Sequence, residues 1–342
     1  MRLFLSEHCT CGADPEAATG PLFVEGAAML RALAEDAAQV AGVEVVVAWA
    51  DGSGPLGVDG VEVIPVSPLP PGGASSFDAV FPKLTAECDA TLHIAPETGD
   101  VLARRAEQVL DAGHTWLGCR PDAIRAWGDK RQDPTRLAGL RVPVQHRPGE
   151  RVLKAPLPVV VKPRFGAGGE ALFFGRMGRP EGPGGGRGGG VGETVTEQFV
   201  PGRPYSVALL NNAILPPGEQ DIRITGTPGV LSYHGGTVPA AGVDRGAVEH
   251  LVGQVRKAVP GLSGWWGIDF VVPDEPFAGS RDPVLIEVNP RLTTSYLGYR
   301  ALTPDNLAER LIFPERAFPP LRWNDGAVSF MKDGAVTAEP RP

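Results

Sequence analysis

Leu285-Ile286-Glu287-Val288-Asn289-Pro290-Arg291 is the stretch on which the reading of this chain turns. Ile286 and Val288 alternate with Glu287 and Asn289, and residues two apart on a β-strand share one face. The Glu287 carboxylate and the Asn289 amide therefore point the same way, and Pro290 closes the strand. Earlier, Gly267-Ile268-Asp269-Phe270-Val271 has the same texture, with Asp269 between two buried-type residues. If the two strands pair, Asp269 joins Glu287 and Asn289. Two carboxylates and an amide oxygen are hard ligands, suited to Mg²⁺ (or Mn²⁺) held together with nucleotide phosphates. The alternative is a half-exposed strand with polar residues outward, but such an acidic face repels itself without a cation.

Working back along the chain, Pro156–Lys162 is a β-branched strand that ends in Lys162-Pro163-Arg164-Phe165-Gly166-Ala167-Gly168-Gly169-Glu170. A lysine at a strand end beside uncovered backbone N–H groups can cradle phosphate oxygens. It is not a Walker loop, because no Gly-Lys-Ser/Thr follows. A solvated cap is the plainer alternative. Between Gly175 and Gly192, ten of eighteen residues are glycine, which reads as a flexible insertion over Gly178–Gly192. Glu197-Gln198-Phe199-Val200-Pro201-Gly202 ends a strand in a Pro-Gly break, a hinge whose backbone could hold an adenine edge or simply turn.

The first third of the chain alternates strand and helix. Strands are expected at Arg2–Ser6, Val43–Ala48, Val61–Val66 and Ala90–Ala95, with helices at Glu25–Ala41 and from Asp100 to about Ala112. Such a pattern implies a parallel sheet with ligands beyond the carboxyl ends of its strands, where Glu7 and Glu97 fall. Further on, Asp129-Lys130 is read as opening a helix, with later helices at Asp244–Val259 and Thr303–Leu311. After Phe313 the Pro-rich remainder reads as a tail or a wrapped edge. The boundaries expected are 1–119 for an N-terminal α/β domain, 120–196 for a small lobe, 197–313 for a large lobe, and 314–342 for the tail.

The chain has 342 residues, 42% hydrophobic and 21% charged, so it can bury a core, and about 150 residues per domain suggests about two domains. Thirty-two Lys+Arg against forty Asp+Glu give a net charge of −8, which argues against nucleic-acid wrapping. No run reaches the roughly 18 apolar residues of a membrane span. Cys9, Cys11, Cys88 and Cys119 read as reduced thiols of a cytoplasmic protein rather than as a disulfide framework or half a metal site. A homodimer is left open.

The order Asp-Lys, strand-Lys-Pro-x-x-Gly-x-Gly-Gly, Glu hinge, Gly-x-Asp, Glu-x-Asn-Pro-Arg resembles the ATP-grasp superfamily of carboxylate–amine ligases over about residues 120–313. The resemblance implies an ATP-grasp fold, mixing α/β and α+β, behind an N-terminal α/β (pre-ATP-grasp) domain. It implies that Lys130 and Lys162 reach ATP phosphates, that Gly166, Gly168 and Gly169 close over them, and that Glu197, Gln198, Phe199 and Val200 hold adenine. Asp269, Glu287 and Asn289 would bind Mg²⁺, and Arg291 would steady the transferring phosphoryl group. The product would be an amide made from a small-molecule acid and an amine.

Glu25-Gly26-Ala27-Ala28-Met29, Ala95-Pro96-Glu97-Thr98, Pro217-Gly218-Glu219-Gln220 and Leu292-Thr293-Thr294-Ser295-Tyr296 are similar to small ligases of one-carbon coenzyme biosynthesis, such as the tyramine–glutamate ligases of the methanofuran pathway. On this reading the acid is glutamate. Substrate contacts are expected from Glu7, Glu97, Thr293, Thr294 and Ser295; Glu25 is either a further contact or a helix N-terminal carboxylate opposing the dipole, and Arg223 is either a carboxylate clamp or a surface arginine. Two departures stand out. Pro204 occupies the place of the family's ribose-binding Glu, and Gly267 stands where D-alanine–D-alanine ligases, the alternative of the same class, carry Arg. The alternative of another class is an idle nucleotide-binding module.

Overall fold

The structure, a computed structural model, describes residues 1–14, 20–67, 76–131, 133, 135–146, 158–166, 172–176, 193–226 and 229–339. Gly168, Gly169 and the Gly178–Gly192 insertion lie outside the described residues.

The first unit comprises β1 (Arg2–Glu7), α1 (Pro21–Ala38), β2 (Glu44–Ala50), β3 (Val61–Val66), α2 (Ser76–Glu87), β4 (Ala90–Ile94), α3 (Val101–Asp111) and β5 (Thr115–Trp116). Its strands are parallel in the order β3-β2-β1-β4-β5. Strand parity sorts the core. Leu3, Leu5, Val45 and Val47 pack under α1, while Phe4, Val46 and Ala48 meet Phe77, Phe81 and Leu84 of α2. With both faces covered, β1, β2 and β4 are buried almost end to end. All four cysteines are free and buried. Burial pushes the Cys88 thiol up to about 11 and the Cys119 thiol up to about 12, and raises Cys9 and Cys11 further.

The remainder holds α4 (Pro121–Gly128), β6 (Gln145–His146), β7 (Pro158–Pro163), β8 (Leu172–Arg176), β9 (Thr194–Gln198), β10 (Gly202–Leu210), β11 (Ala213–Ile214), β12 (Gly218–Thr225) and β13 (Gly229–Val238). Then come α5 (Arg245–Ala258), β14 (Trp265–Pro273), β15 (Val284–Asn289), α6 (Tyr296–Leu302), α7 (Leu307–Ile312), β16 (Ala327–Met331) and β17 (Val336–Glu339). One sheet runs β15-β14-β10-β12-β13-β8-β7-β9-β6. Asp244 caps α5, accepting from the Gly246 N–H at 2.8 Å. That helix buries Val248, Leu251, Val252 and Val255 against Val207, Leu209, Ile268 and Phe270. The alternate residues Ser206 and Asp269, cross-strand partners, are thereby left for the other face.

Several expectations need correction. No helix opens at Asp129-Lys130. Asp129 is drawn to Arg164, and the Lys130 N–H donates to the Arg164 carbonyl at 3.0 Å, tying the segment to the end of β7. The helix expected over Thr303–Leu311 starts four residues later as α7, with Asn306 capping it by accepting from the Glu309 N–H at 3.0 Å, and α6 is a separate helix that ends at Leu302. Helix α2 went unread because Pro82 interrupts its Phe77, Phe81, Leu84 spacing. Of tail or wrapped edge, the far part of 314–342 is the edge, since β16 pairs with β13 and β17 with β16. Among the described residues no helix is long and apolar enough to cross a membrane.

Candidate active site

β14 and β15 pair antiparallel with Asp269 opposite Glu287 and Gly267 opposite Asn289, and the register shifts just after Asp269. Asn289 Nδ2 donates to Asp269 Oδ2 at 2.9 Å, and Gln220 Nε2 of β12 donates to Asp269 Oδ1 at 2.9 Å. Burial, then the neighbouring Glu287, pushes the Asp269 carboxyl up to about 7. Burial also opposes the charge of Glu287, but Lys130 and Lys162 outweigh it and hold that carboxyl below its ordinary range. The protein thus leaves Asp269 short of positive charge. A divalent cation would supply it, so the donor set fits Mg²⁺ or Mn²⁺. Among the described residues no group of three or more Asp, Glu, His or Cys is arranged around a metal. Two carboxylates and one amide instead leave coordination positions to phosphate oxygens and water, the usual habit of Mg²⁺.

The lysines converge from the other side. Lys162, at the end of β7, is 4% exposed and pairs with Glu197 of β9 (Nζ to Oε2, 2.7 Å). Burial alone would lower its pKa, but Glu197, Glu287 and Asp269 raise it, so the ammonium is kept. Glu197 also accepts from Gln145 Nε2 at 2.9 Å. Its side chain is occupied in positioning Lys162 and is not offered to an adenine. Lys130 Nζ lies 3.1 Å from Glu287 Oε1 and donates to the Gly166 carbonyl at 2.5 Å. Arg291 donates through Nη2 to Asn289 Oδ1 at 3.2 Å and through Nε to Glu97 Oε1 at 3.0 Å.

Asp269, Glu287, Asn289, Lys162, Glu197 and Arg291 share a cleft of about 300 Å³, and Lys130 lines a smaller adjoining pocket that also reaches Glu197 and Glu287. Gly267, Asp269 and Val271 line the cleft in succession along β14, a span of roughly 13 Å at about 3.3 Å per residue. Around the Val271 end stand Val160, Val200, Ile222, Leu231 and Ile286, with Gln198 and Phe199. That apolar slot suits a purine. Pro204, opposite Val271, adds an apolar wall at the position already noted as a departure from the ribose-binding Glu. At the other end lie Thr293, Thr294, Ser295 and Glu25. Gly267 packs closely there: a Cβ would come within 3.1 Å of Thr293 Cγ2, so that side chain would have to shift.

Three substrate candidates do not face the cleft. Glu7 is buried behind α1, accepting from the Thr10 N–H at 2.9 Å, and a Cβ on Gly26 would overlap its carboxylate. Glu97 sits behind Arg291 and orients it, one carboxylate oxygen lacking a partner among the described residues. Arg223 projects from the opposite face of β12, paired with Asp221 at 2.6 Å. Conversely, Gln220 and Tyr233 line the site and were not singled out for it. Burial raises the Tyr233 hydroxyl well above its ordinary value, so it stays neutral. The Gln220–Asp269 bond joins strands distant in sequence, and only pairing reveals it.

Residues 128–295 match the ATP-grasp domain and residues 58–124 the pre ATP-grasp 3 domain. A tyramine–L-glutamate ligase from Methanocaldococcus fervens is 25% identical over 225 residues, 66% of this chain and 65% of that protein's own length. An ATP-grasp superfamily protein from Archaeoglobus fulgidus superposes with a TM-score of 0.70 at 23% identity, covering 97% of this chain and 92% of that one. An L-amino acid ligase from Bacillus licheniformis gives 0.61 at 18% identity, covering 91% and 73%. The ADP complex of an N5-carboxyaminoimidazole synthetase from Staphylococcus aureus gives 0.66 at 14% identity, covering 96% and 81%. At these identities the superpositions speak for the fold.

Proposed function

We propose, from the premise that this chain carries an ATP-grasp domain behind a pre-ATP-grasp domain, that it is an ATP-dependent carboxylate–amine ligase. The observation that carries the reading is the convergence of Asp269, Glu287 and Asn289 with Lys162 and Arg291 around one cleft with an apolar end, with Lys130 paired to Glu287 from an adjoining pocket. A carboxylate oxygen of the acid attacks the γ-phosphorus, the bond to the bridging oxygen breaks, and ADP leaves. The amine nitrogen then attacks the acyl carbon, and phosphate departs with the C–O electron pair.

A divalent cation on the Asp269–Glu287–Asn289 face would neutralise phosphate charge during the transfer. Lys162, fixed by Glu197, holds an ammonium at the phosphates without needing to reorganise, the property that makes such charges effective. Arg291, steadied by Glu97 and Asn289, is placed to receive the transferred phosphoryl group. The apolar slot takes the base, and its walls keep water from the acyl phosphate.

For the acid we propose L-glutamate, and for the amine a small arylethylamine such as tyramine, in one-carbon coenzyme biosynthesis. The tyramine–L-glutamate ligase activity of the M. fervens relative supports this choice, as does a polar cleft end formed by Thr293, Thr294 and Ser295. The test is ADP release from Mg·ATP with L-glutamate, tyramine, both or neither, followed by a panel of other acids and amines. Release that requires an acid and an amine together supports the ligase. Tight ATP binding with no turnover on any pair would instead support an idle nucleotide-binding module.

A further inference from the structure

Among the described residues four carboxylates line the cleft: Glu25, Glu197, Asp269 and Glu287. Three have their work assigned above. Glu25, from the first turns of α1, does not. It is only 9% exposed, and among the described residues no Lys, Arg or His forms an ion pair with it. One contact holds it, the Thr294 hydroxyl donating to Oε1. Buried carboxylates are ordinarily paired or bound to a cation. Glu25 therefore marks a place prepared for a positive group that arrives with a substrate.

The titratable groups facing it say which substrate. Glu25 lines the cleft with Tyr233 and Arg291, and its partner Thr294 stands three residues beyond Arg291. Arg291 is the group assigned to the phosphoryl end, so a cation held at Glu25 lies beside the acyl phosphate. An alkylamine arrives as an ammonium, which has no lone pair to attack with. It needs both a counter-charge and a proton acceptor at that spot.

We propose that Glu25 receives the amine substrate: its carboxylate binds the ammonium, with Thr294 fixing its orientation, and takes one N–H proton. The freed lone pair then forms the C–N bond as the C–O bond to phosphate breaks. The second proton leaves the nitrogen as the tetrahedral adduct collapses, with phosphate as its acceptor. This assignment rests on the ligase reading and names the residue that serves its second half.

The experiment compares two nucleophiles on wild-type enzyme and Glu25→Gln, with L-glutamate and Mg·ATP. Hydroxylamine is largely unprotonated at neutral pH, so it traps the acyl phosphate as a hydroxamate without a base. Tyramine must be deprotonated. The ratio of amide to hydroxamate formed is expected to fall about 100-fold in Glu25→Gln, the lower range for loss of a general base. The deficit should shrink as pH rises towards the amine's own pKa. Glu25→Asp should fall between the two, and it supplies the same ratio should Glu25→Gln fail to fold. An unchanged ratio in either variant overturns the proposal, and so does a parallel loss of both products, which would place Glu25 on the acid. A wild-type enzyme that yields no hydroxamate with any acid sinks the ligase reading itself, a result distinct from these.

Discussion

Glu287→Gln keeps the side chain's volume and its place opposite Asp269 but removes the charge that Lys130 and Lys162 converge on. Turnover is expected to fall by about 10²–10³, the scale for deleting one electrostatic contributor in a closed site. The circular dichroism spectrum should be unchanged. Near wild-type ADP release would remove Glu287 from the cation site. Glu7 supplies a second residue-level test. Burial raises its carboxyl from 4.5 up to about 7, so the folded state binds that proton more tightly than the unfolded chain. Its contribution is neutral below the unfolded pKa and becomes a full penalty above the folded one, about 3 kcal/mol. Glu7→Gln retains an acceptor for the Thr10 N–H. It should unfold at higher urea than wild type at pH 8, with the gain disappearing as pH drops through the interval from about 7 to about 4.5. A pH-independent difference would contradict the burial argument. Much of the site was legible at this scale, because Asp269, Glu287 and Asn289 follow the two-residue strand period. Of the two readings open for Arg223, parity favours the surface arginine. Even-numbered residues of β12 (Gln220, Ile222, Ile224) line the cleft, so an odd-numbered neighbour must look away.

Elements were legible where one periodicity dominated and illegible where tertiary pairing supplied the order. The parallel strands of the first unit are short apolar runs, and β14 and β15 alternate clearly. β12 and β13 carry Gly, Thr, Ser, Asp and His with no sustained apolar face, and pairing with β10, β8 and β16 gives them their order. β16 depends on Phe330, which is 3% exposed and packs where Gly298 and Gly236 leave room. Phe330→Ala is expected to cost about 3–5 kcal/mol, read as a lower urea midpoint, because the surrounding backbone can collapse only partly into the void. A shift below about 1 kcal/mol would mean that β16 is a loosely held edge rather than part of the core.

At the scale of the whole molecule, the two units are joined by groups that a linear reading cannot associate. Arg300 and Tyr296 of α6 bind Asp36 of α1, with Arg300 Nη2 at 2.7 Å and the Tyr296 hydroxyl at 2.6 Å. Glu97 crosses from the first unit to hold Arg291. These partners lie 194 to 264 positions apart, too far for any local pattern to join them. Cys119 sits at the junction, its Sγ donating to the Ser263 carbonyl at 3.3 Å, whereas Cys11 and Cys88 lie in the core of the first unit and Cys9 in the turn after β1. With every sulfur enclosed and its thiolate suppressed, an alkylating reagent finds nothing to attack until the chain opens. Counting adducts by mass against time therefore gives a clock for breathing motions. Cys119 modified ahead of the other three would mean that the seam parts before either body unravels, and simultaneous capture of all four would mean that the molecule comes undone as one.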